Sequence, residues 1–244
     1  MKLALSIIIP TFNEEKFLPS LLRSINEQTT PPSEIIVADA FSTDSTRDVA
    51  RQFGCRVVNG GMPGKGRNNG AKVAKEDLVL FLDSDVILPK DFLEKTVGEM
   101  MDRKLNVASC YLTPLSSYWV DHHIHEAFNY YAKLTNKFYP HAPGFCIFVK
   151  KWVHERINGF DESIVMAEDH DYVRRAKKIT KFSYLNSYRI PVSVRRFSEN
   201  GRINVSIKYI VLELHRIFIG EITKKYFNYE FGNHVAERNE PWHK

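Results

Sequence analysis

The sequence predicts an α/β fold with a mostly parallel central sheet flanked by helices. Short β-rich runs alternate with longer helical patterns through the first half of the chain, and polar residues follow several of these runs directly. Such alternation is typical of a parallel sheet that is covered on both faces. Of the 244 residues, 43% are hydrophobic and 26% are charged, as in ordinary globular proteins. This composition excludes a disordered, collagenous or low-complexity chain.

Four β-rich runs are predicted as strands, at residues 3–9, 34–38, 55–58 and 78–82. Pro10 ends the first run, while Asp39 and Asp83 end the second and the fourth. Apolar residues recur at helical spacing between and after these runs. The helices predicted for this half of the chain are residues 14–28, 42–53, 67–75 and 91–101.

A glycine-rich segment, residues 60–66, lies between the third strand and the third helix. It matches neither the phosphate-binding pattern G-x-x-x-x-G-K-[ST] nor the dinucleotide-binding pattern G-x-G-x-x-G. The segment is predicted as a loop. Two interpretations stay open: a flexible surface loop, or a mobile loop that places Lys65 or Arg67 near a diphosphate.

The second half of the chain has a different residue pattern. Residues 116–148 are rich in aromatic side chains, and residues 161–178 begin acidic and continue as a basic helix. Residues 203–226 have the pattern of one long amphipathic helix. We predict a single domain over residues 1–200, followed by an amphipathic helix and a polar tail over residues 201–244.

The cysteines and the hydropathy indicate a cellular location. Cys55, Cys110 and Cys146 form no C-x-x-C pair, so neither a zinc knuckle nor a disulfide framework is indicated, and a reducing compartment is the simpler interpretation. The sequence has neither a signal-peptide pattern nor a run of about 18 uncharged apolar residues. We expect a cytoplasmic protein, with peripheral attachment at the inner face of the cell membrane as the alternative.

The net charge of +5 is concentrated in one segment. Residues 172–202 carry nine Lys or Arg and one acid, Glu199, for a net charge of +8, so the rest of the chain sums to −3. The segment is predicted to face a phosphate-bearing substrate or an anionic membrane surface. Nucleic acid is not expected as a partner, because the aromatic residues 116–148 are not interleaved with a basic stripe.

Polar side chains follow three of the predicted strands. Thr11 and Asn13 follow the first, Asp39 follows the second, and Asp83 and Asp85 follow the fourth. Ligands of α/β sheets bind at the carboxyl ends of the strands, so these side chains are expected to converge on one crevice. Two carboxylates so close in sequence raise each other's pKa, which a divalent cation with oxygen ligands, Mg²⁺ or Mn²⁺, would relieve. The alternative is a solvated turn or a helix cap.

A second acidic group precedes the helix predicted near residue 170. Glu168, Asp169 and Asp171 surround His170 there. Carboxylates at a helix N-terminus interact favourably with the helix dipole, so capping is one interpretation. The other is a general base, which requires a carboxylate held beside a substrate hydroxyl.

Together these motifs resemble the large family of inverting nucleotide-sugar glycosyltransferases usually numbered two, which has the Rossmann-like GT-A fold. The segments that carry the resemblance, in the family's order, are residues 6–15, 34–44, 64–70, 81–85, 143–145 and 160–169. Two departures stand out. Ala40 and Phe41 replace the second Asp and the Gly of the family pattern V-D-D-G-S-T-D, and the processive-synthase pattern Q-x-x-R-W is absent.

The resemblance implies roles for individual residues. The donor-binding residues would be Pro10, Thr11, Asn13, Glu14, Asp39, Arg67, Asp83 and Ser84. Asp85, together with Asp83, would hold Mn²⁺ or Mg²⁺, and Asp169 would be the general base. Contact with the acceptor or the diphosphate would come from Gly144, Glu168, Arg195 and Arg196. The two arginines are predicted on a loop that closes over phosphate, with a solvated basic loop as the alternative.

The resemblance also implies which half of the chain binds each substrate, and it implies a function. Residues 1–105 would bind the nucleotide sugar and residues 106–200 the acceptor. The expected reaction is metal-dependent, inverting, non-processive transfer of a sugar to a hydroxyl or phosphate of a glycan or lipid-linked acceptor, in cell-envelope glycan synthesis. The alternative is a non-catalytic module that binds a nucleotide sugar or glycan. A nucleotidyltransferase is disfavoured, because residues 11–15 lack the expected glycine- and Arg-rich loop.

The predicted C-terminal helix has one apolar face. Its members recur at helical spacing, at Ile203, Ile207, Ile210, Val211, Leu214, Phe218 and Ile222. Basic residues lie among them, which suits an interfacial helix on anionic lipid. A helix that packs on the core or in a homodimer is the alternative.

Overall fold

The structure is a computed structural model, and it describes residues 2–223. One seven-stranded sheet forms its centre. The strands are β1 (Leu3–Thr11), β2 (Pro32–Asp39), β3 (Arg56–Asn59), β4 (Leu78–Phe81), β5 (Val107–Pro114), β6 (Ile147–Lys150) and β7 (Phe182–Val192). Their order across the sheet is β3-β2-β1-β4-β6-β5-β7. Of these seven strands only β6 is antiparallel to its neighbours, so the predicted mostly parallel sheet is confirmed.

Helices cover both faces of this sheet. They are α1 (Leu18–Asn26), α2 (Thr46–Gln52), α3 (Pro63–Val73), α4 (Phe92–Asp102), α5 (Trp119–Thr135), α6 (Lys151–Arg156), α7 (Glu168–Lys177), α8 (Arg195–Asn200) and α9 (Arg202–Phe218). Alternate residues of a strand point to opposite faces. Ile7 and Ile9 therefore join the core cluster that contains α1 and α4, while Ile8 joins the cluster that contains α3 and α7.

The glycine-rich segment differs from its prediction, since most of it is helix rather than loop. Proline is well suited to the first helical position, and α3 begins at Pro63. A Cβ atom added to Gly70 would lie 2.4 Å from Cγ2 of Ile8, and one added to Gly66 would lie 3.2 Å from Cβ of Pro10. These glycines therefore let α3 lie directly against β1, which fixes the position of the α3 side chains between them.

The reversed strand β6 brings a later part of the chain to the edge where the parallel strands end. Phe81, the last residue of β4, pairs with Ile147, the first residue of β6. The residues that lead into β6 therefore emerge beside the residues that follow β4. This arrangement places Gly144 at the same edge as Asp83.

The C-terminal part of the fold differs from its prediction in two places. Arg195 begins the helix α8 rather than lying on a loop. Helix α9 ends at Phe218, before the predicted end at residue 226, and the chain then turns back so that the backbone N–H of Val165 donates to the carbonyl of Ile222 at 2.8 Å. The rest of the predicted polar tail lies outside the described residues. Within residues 2–223, no helix is long and apolar enough to cross a membrane.

Candidate active site

The polar ends of β1, β2 and β4 lie together at one edge of the sheet. Strand β1 lies between β2 and β4, and Thr11 pairs with Asp39 in the β1–β2 ladder. The Thr11 hydroxyl donates to Asp39 Oδ1 at 3.2 Å. The backbone N–H of Leu82 donates to the carbonyl of Ile8 at 3.0 Å, so Asp83 emerges next to the end of β1. The polar residues that follow β1, β2 and β4 therefore lie side by side at this edge, and the crevice expected there stays a prediction.

Asp39 organises the loops that follow β1 and β2. Its side chain is fully buried, and Oδ2 accepts the Ser42 backbone N–H at 3.0 Å and pairs with Arg47 at 3.3 Å. Ser42 Oγ in turn accepts the backbone N–H of Asn13 at 2.8 Å. Asn13 Oδ1 accepts the backbone N–H of Thr43 at 2.9 Å. These bonds join the two loops into one rigid wall of the crevice.

Arg67 lies at the centre of the carboxylate cluster and is only 2% exposed. Its Nη1 donates to Glu168 Oε1 at 2.6 Å, and its Nη2 donates to Asp83 Oδ1 at 2.7 Å. The guanidinium also stacks 5.3 Å from the centre of the Phe160 ring. The structure therefore engages Arg67 with two carboxylates that come from α7 and from the end of β4.

Asp83 has a raised pKa, because the effects that raise it outweigh the nearby arginines. Desolvation raises its pKa, the Arg67 charge lowers it, and the Asp85 charge raises it again. The Arg196 guanidinium is close enough to lower the pKa of Asp83 as well. Ser84, between the two aspartates, is buried. Desolvation is the largest cause of the raised pKa, and the charges of Asp85 and Asp169 add to it.

Glu14, Arg195 and Asp85 form a second buried ion-pair group. Arg195 Nη1 and Nη2 bind the two Glu14 carboxylate oxygens at 2.9 and 3.0 Å, and Arg195 Nε lies 3.1 Å from Asp85 Oδ2. The guanidinium also lies 4.7 Å from the centre of the Phe17 ring. The residues implied for the nucleoside, the diphosphate and the metal are thus joined to one another. This contact fixes Asp85 through its Oδ2 atom.

Glu168 and Asp169 begin α7 and face the loop before β6. The backbone N–H of Gly144 donates to Asp169 Oδ2 at 2.5 Å. A Cβ atom added to Gly144 would lie 2.3 Å from Arg67 Nη2 and 3.2 Å from Asp169 Oδ2, so only glycine fits between them. Desolvation raises the pKa of Glu168 to about 7, the Arg67 charge opposes the rise and the Asp169 charge adds to it.

The buried His141 and the partly buried His170 meet next to Asp169, a contact that the sequence predictions missed. His141 Nδ1 lies 3.2 Å from His170 Nδ1, and His170 Nε2 lies 3.9 Å from Asp169 Oδ1. Burial lowers the pKa of His141 to about 2 and also lowers the pKa of His170, so both rings are neutral. The two residues are 29 positions apart, and no spacing in the sequence signals their contact.

Asn68 has a structural role that the resemblance did not specify. Its Nδ2 donates to the carbonyl of Phe160 at 2.9 Å, and its Oδ1 accepts the Phe160 backbone N–H at 2.8 Å. Its Nδ2 also donates to Glu162 Oε1 at 2.9 Å. Asn68 therefore ties α3 to the segment that leads into α7, and so sets the distance between Arg67 and Glu168.

The basic segment 172–202 does not present its full positive charge. Several of its arginines form ion pairs with carboxylates, some on the same helix and some from other parts of the fold. These pairs are Arg174 with Asp171 and Glu221, Arg175 with Asp171, Arg189 with Glu126, Arg195 with Glu14 and Asp85, and Arg202 with Asp121. Five of the nine basic residues are therefore balanced by carboxylates, so the segment presents less positive charge than its net charge of +8 suggests. That the segment faces a phosphate-bearing substrate or an anionic membrane stays a prediction.

Asp83 and Asp85 could supply two carboxylate ligands to a divalent cation, but the described residues do not form a complete ligand set around them. Across residues 2–223, no group of three or more His, Cys, Asp or Glu side chains is arranged to hold a metal ion. Mg²⁺, however, usually binds one or two carboxylates and takes its other ligands from water and substrate phosphates. Asp83 and Asp85 supply such a pair, and the raised pKa of Asp83 fits a site that gains from added positive charge.

Sequence comparison relates the first two thirds of the chain to known transferases. A family model described as "Glycosyl transferase family 2" matches residues 6–158. The poly(ribitol-phosphate) beta-N-acetylglucosaminyltransferase TarS of Staphylococcus aureus is 36% identical over 99 residues, which is 36% of this chain and 17% of TarS. The poly(ribitol-phosphate) beta-glucosyltransferase of Bacillus spizizenii is 40% identical over 92 residues, 33% of this chain and 14% of that protein. The matched stretches therefore span less than a fifth of either relative.

Structural comparison extends over most of the chain. The crystal structure of S. aureus TarS 1-349 in complex with UDP superposes with a TM-score of 0.66 at 25% identity, over 90% of this chain and 73% of that one. The mannosyltransferase PcManGT of Pyrobaculum calidifontis, in complex with GDP-Man and Mn²⁺, gives a TM-score of 0.62 at 20% identity, over 86% of this chain and 65% of that one.

Proposed function

The chain belongs to glycosyl transferase family 2 and has the GT-A fold, and from that premise we propose that it transfers a sugar from a nucleotide-diphosphate sugar to an acceptor hydroxyl, with inversion at the anomeric carbon. One observation carries the proposal. Asp83, Glu168 and Asp169 surround the buried Arg67 at the carboxyl edge of the sheet, within one crevice that also contains Asp39. Carboxylates held this close are costly for stability, which is typical of a functional site.

The donor nucleotide is proposed to bind at the ends of β1 and β2. Asp39 is buried there, and the hydrogen bonds through Ser42 and Asn13 make the surrounding loops rigid. A preformed wall lowers the entropy lost on binding. The structures of relatives with UDP and with GDP-Man support a nucleoside diphosphate as the carrier.

Asp85 and Asp83 are the residues that would hold Mn²⁺ or Mg²⁺ beside the diphosphate. When bound, such an ion neutralises the charge that develops on the leaving nucleotide. Arg195 holds Asp85 through Oδ2, and Glu14 balances the Arg195 charge with a bidentate ion pair. The remaining Asp85 oxygen is thereby oriented, since partners of a metal-binding carboxylate usually fix its direction.

Asp169 is proposed as the general base. The acceptor O–H proton passes to an Asp169 carboxylate oxygen while the acceptor oxygen forms a bond to the anomeric carbon. The bond from that carbon to the diphosphate oxygen breaks on the opposite face, so a single displacement inverts the configuration. The Gly144 backbone N–H holds the Asp169 carboxylate at the crevice, and the close approach requires glycine there.

The acceptor is proposed to be a cell-envelope glycan or polyol-phosphate polymer, lipid-linked or free. The names of the relatives that act on poly(ribitol-phosphate) support this class. Residues 1–105 supply Asp39, Arg67 and Asp83 to the donor side, whereas Gly144 and Asp169 come from residues 106–200. The proposed donor and acceptor halves meet at the Arg67–Glu168 ion pair.

Thermal denaturation with nucleoside diphosphates tests this function. At a concentration about 100 times Kd, the matching one of UDP, GDP and ADP with Mn²⁺ is expected to raise Tm by roughly 5–10 °C. The corresponding nucleotide sugar should then release nucleotide when a polyol-phosphate acceptor is added. Asp85→Asn should remove the Mn²⁺-dependent part of the shift, whereas Asp48→Asn, at an exposed ion pair with Arg51, should not.

Two results would contradict the proposal. If no nucleoside diphosphate changes Tm, the chain does not use this donor class. If a nucleotide sugar binds but no acceptor yields nucleotide release, the protein is the non-catalytic binding module instead.

Helix α9 is proposed to contact an anionic membrane surface. Its exposed side chains Ile203, Ile207, Ile210, Leu214 and Ile217 lie on one helical face, and Phe218 beside them is 81% exposed. The sole acid of α9, Glu213, is bonded to Arg216 and Tyr131, so no unpaired carboxylate on this helix opposes anionic lipid. Lys208 adds positive charge beside these apolar side chains, which form the apolar stripe of α9. A like-charged second copy is less complementary to this surface than lipid is.

Vesicle flotation tests the membrane contact. The chain is expected to float with vesicles that contain phosphatidylglycerol, and Ile207→Asp with Leu214→Asp should abolish flotation without loss of fold, because both side chains are half exposed. Met101→Asp, at an exposed apolar site on α4, is the control. Light scattering that reports a dimer, together with absence of flotation, would assign the stripe to a second copy.

A further inference from the structure

Phe41 has an unfavourable backbone conformation, and its apolar side chain is exposed to solvent. Its φ angle is +61°, in the left-handed region that is uncommon for a residue other than glycine. Its side chain is 65% exposed and belongs to neither large core cluster of the described residues. The family pattern noted above has glycine at this position, which would avoid both costs. The phenylalanine therefore needs a reason other than folding.

The turn that carries Phe41 is fixed on both sides. On one side, the Ala40 backbone N–H donates to the Thr11 carbonyl at 2.8 Å. On the other side, the Ser42 backbone N–H donates to Asp39 Oδ2 at 3.0 Å, and Ser42 Oγ accepts from Asn13 at 2.8 Å. Strained residues persist only where neighbours hold them in place, and they cluster at ligand sites. The Phe41 ring is thus presented to solvent from a rigid support.

The position of this ring indicates what it binds. Phe41 lies two residues after the buried Asp39, in the turn bonded to Thr11 and Asn13, which are the residues proposed above for the nucleoside. A flat aromatic ring offers a stacking surface to any base, since every base has a π face. We propose that Phe41 is a stacking platform for the nucleobase of the donor, an inference that rests on the proposed function.

The proposal assigns opposite effects on affinity and stability to one substitution. Phe41→Gly removes the ring and places a residue without strain at φ +61°. The Tm of the unliganded variant is expected to equal or exceed that of the wild type. Its affinity for the matching nucleoside diphosphate should fall by about tenfold, the typical loss of one stacked aromatic. Phe41→Tyr, which keeps the ring, should retain wild-type affinity.

Isothermal titration with two kinds of ligand, with and without a base, separates stacking from other roles of Phe41. UDP, GDP and ADP carry a base, whereas inorganic diphosphate does not, and each is titrated with Mn²⁺ into the wild type, Phe41→Gly and Phe41→Tyr. Weaker binding of the nucleotide alone supports the platform. Equal loss for diphosphate and nucleotide, or no loss for either, overturns it. If the wild type binds diphosphate but no nucleotide, the proposed donor class is wrong and the platform is rejected with it.

Discussion

Replacement of Asp169 by asparagine is expected to lower the rate of sugar transfer by about 10²–10⁴ and to leave donor binding unchanged. Asparagine has the same shape, and its carbonyl oxygen can still accept the Gly144 backbone N–H that holds Asp169 in place. It cannot take a proton from the acceptor hydroxyl. The loss therefore falls on the chemical step rather than on the fold or on the donor site.

Single-turnover rates and nucleotide titration check this expectation. The rate should fall in Asp169→Asn while Kd for the nucleoside diphosphate with Mn²⁺ stays within about twofold of the wild type, a free-energy difference below ~0.5 kcal/mol. Asp161→Asn is the control, because Asp161 is an exposed carboxylate on the loop before α7 whose bonds run to Ser163. A rate above one tenth of the wild type in Asp169→Asn would assign the base to another group.

Arg67→Met is expected to destabilise the fold by about 3–5 kcal/mol near neutral pH, which is typical of removing one partner from a buried ion pair. Arg67 is the cation bonded to both Glu168 and Asp83. Without it, the buried Glu168 and the partly exposed Asp83 lose the nearby positive charge that now lowers their pKa values. Both pKa values should then rise further above their values in the unfolded chain.

The direction of the pH dependence follows from these shifts. A carboxyl group with a raised folded-state pKa binds more protons in the folded chain than in the unfolded one, so stability falls as pH rises. Glu168 already has a pKa of about 7, against 4.5 in the absence of the fold. The loss of unfolding free energy in Arg67→Met, relative to the wild type, should therefore be largest at pH 8 and become smaller toward pH 5.

Urea denaturation at pH 5 and pH 8 measures this difference. Arg51→Met is the control, since Arg51 pairs with Asp48 at the surface and both side chains are more than half exposed. Such a pair is worth about 0–1 kcal/mol. If Arg67→Met loses the same unfolding free energy at both pH values, lost packing rather than unbalanced charge causes the instability.

The sequence was informative where local patterns determine structure. The first four strands are continuous β-rich runs, so their place in a parallel sheet follows from the pattern. Asp39 and Asp83 mark the ends of β2 and β4, whereas β1 continues through Pro10, its predicted end, to Thr11. The crevice follows as well, because parallel strands end at one edge. Family membership was also predictable, since the motifs occur in order along the chain.

Other features depend on contacts that local patterns do not reveal. The glycine-rich segment has the composition of a loop, yet it is helical because Gly66 and Gly70 fit against Pro10 and Ile8 of β1. Glu14 and Arg195 are 181 positions apart, so nothing local predicts that they bind each other.

The reversed strand β6 has a consequence for recombining parts of this enzyme family. It lies between β4 and β5, so a strand from residues 106–200 completes the hydrogen bonding of a strand from residues 1–105. An exchange of residues 106–200 between relatives would replace the partner of β4, along with the Gly144 that separates Arg67 from Asp169. A chimera is therefore expected to keep the β4–β6 ladder only where both strands come from the same parent.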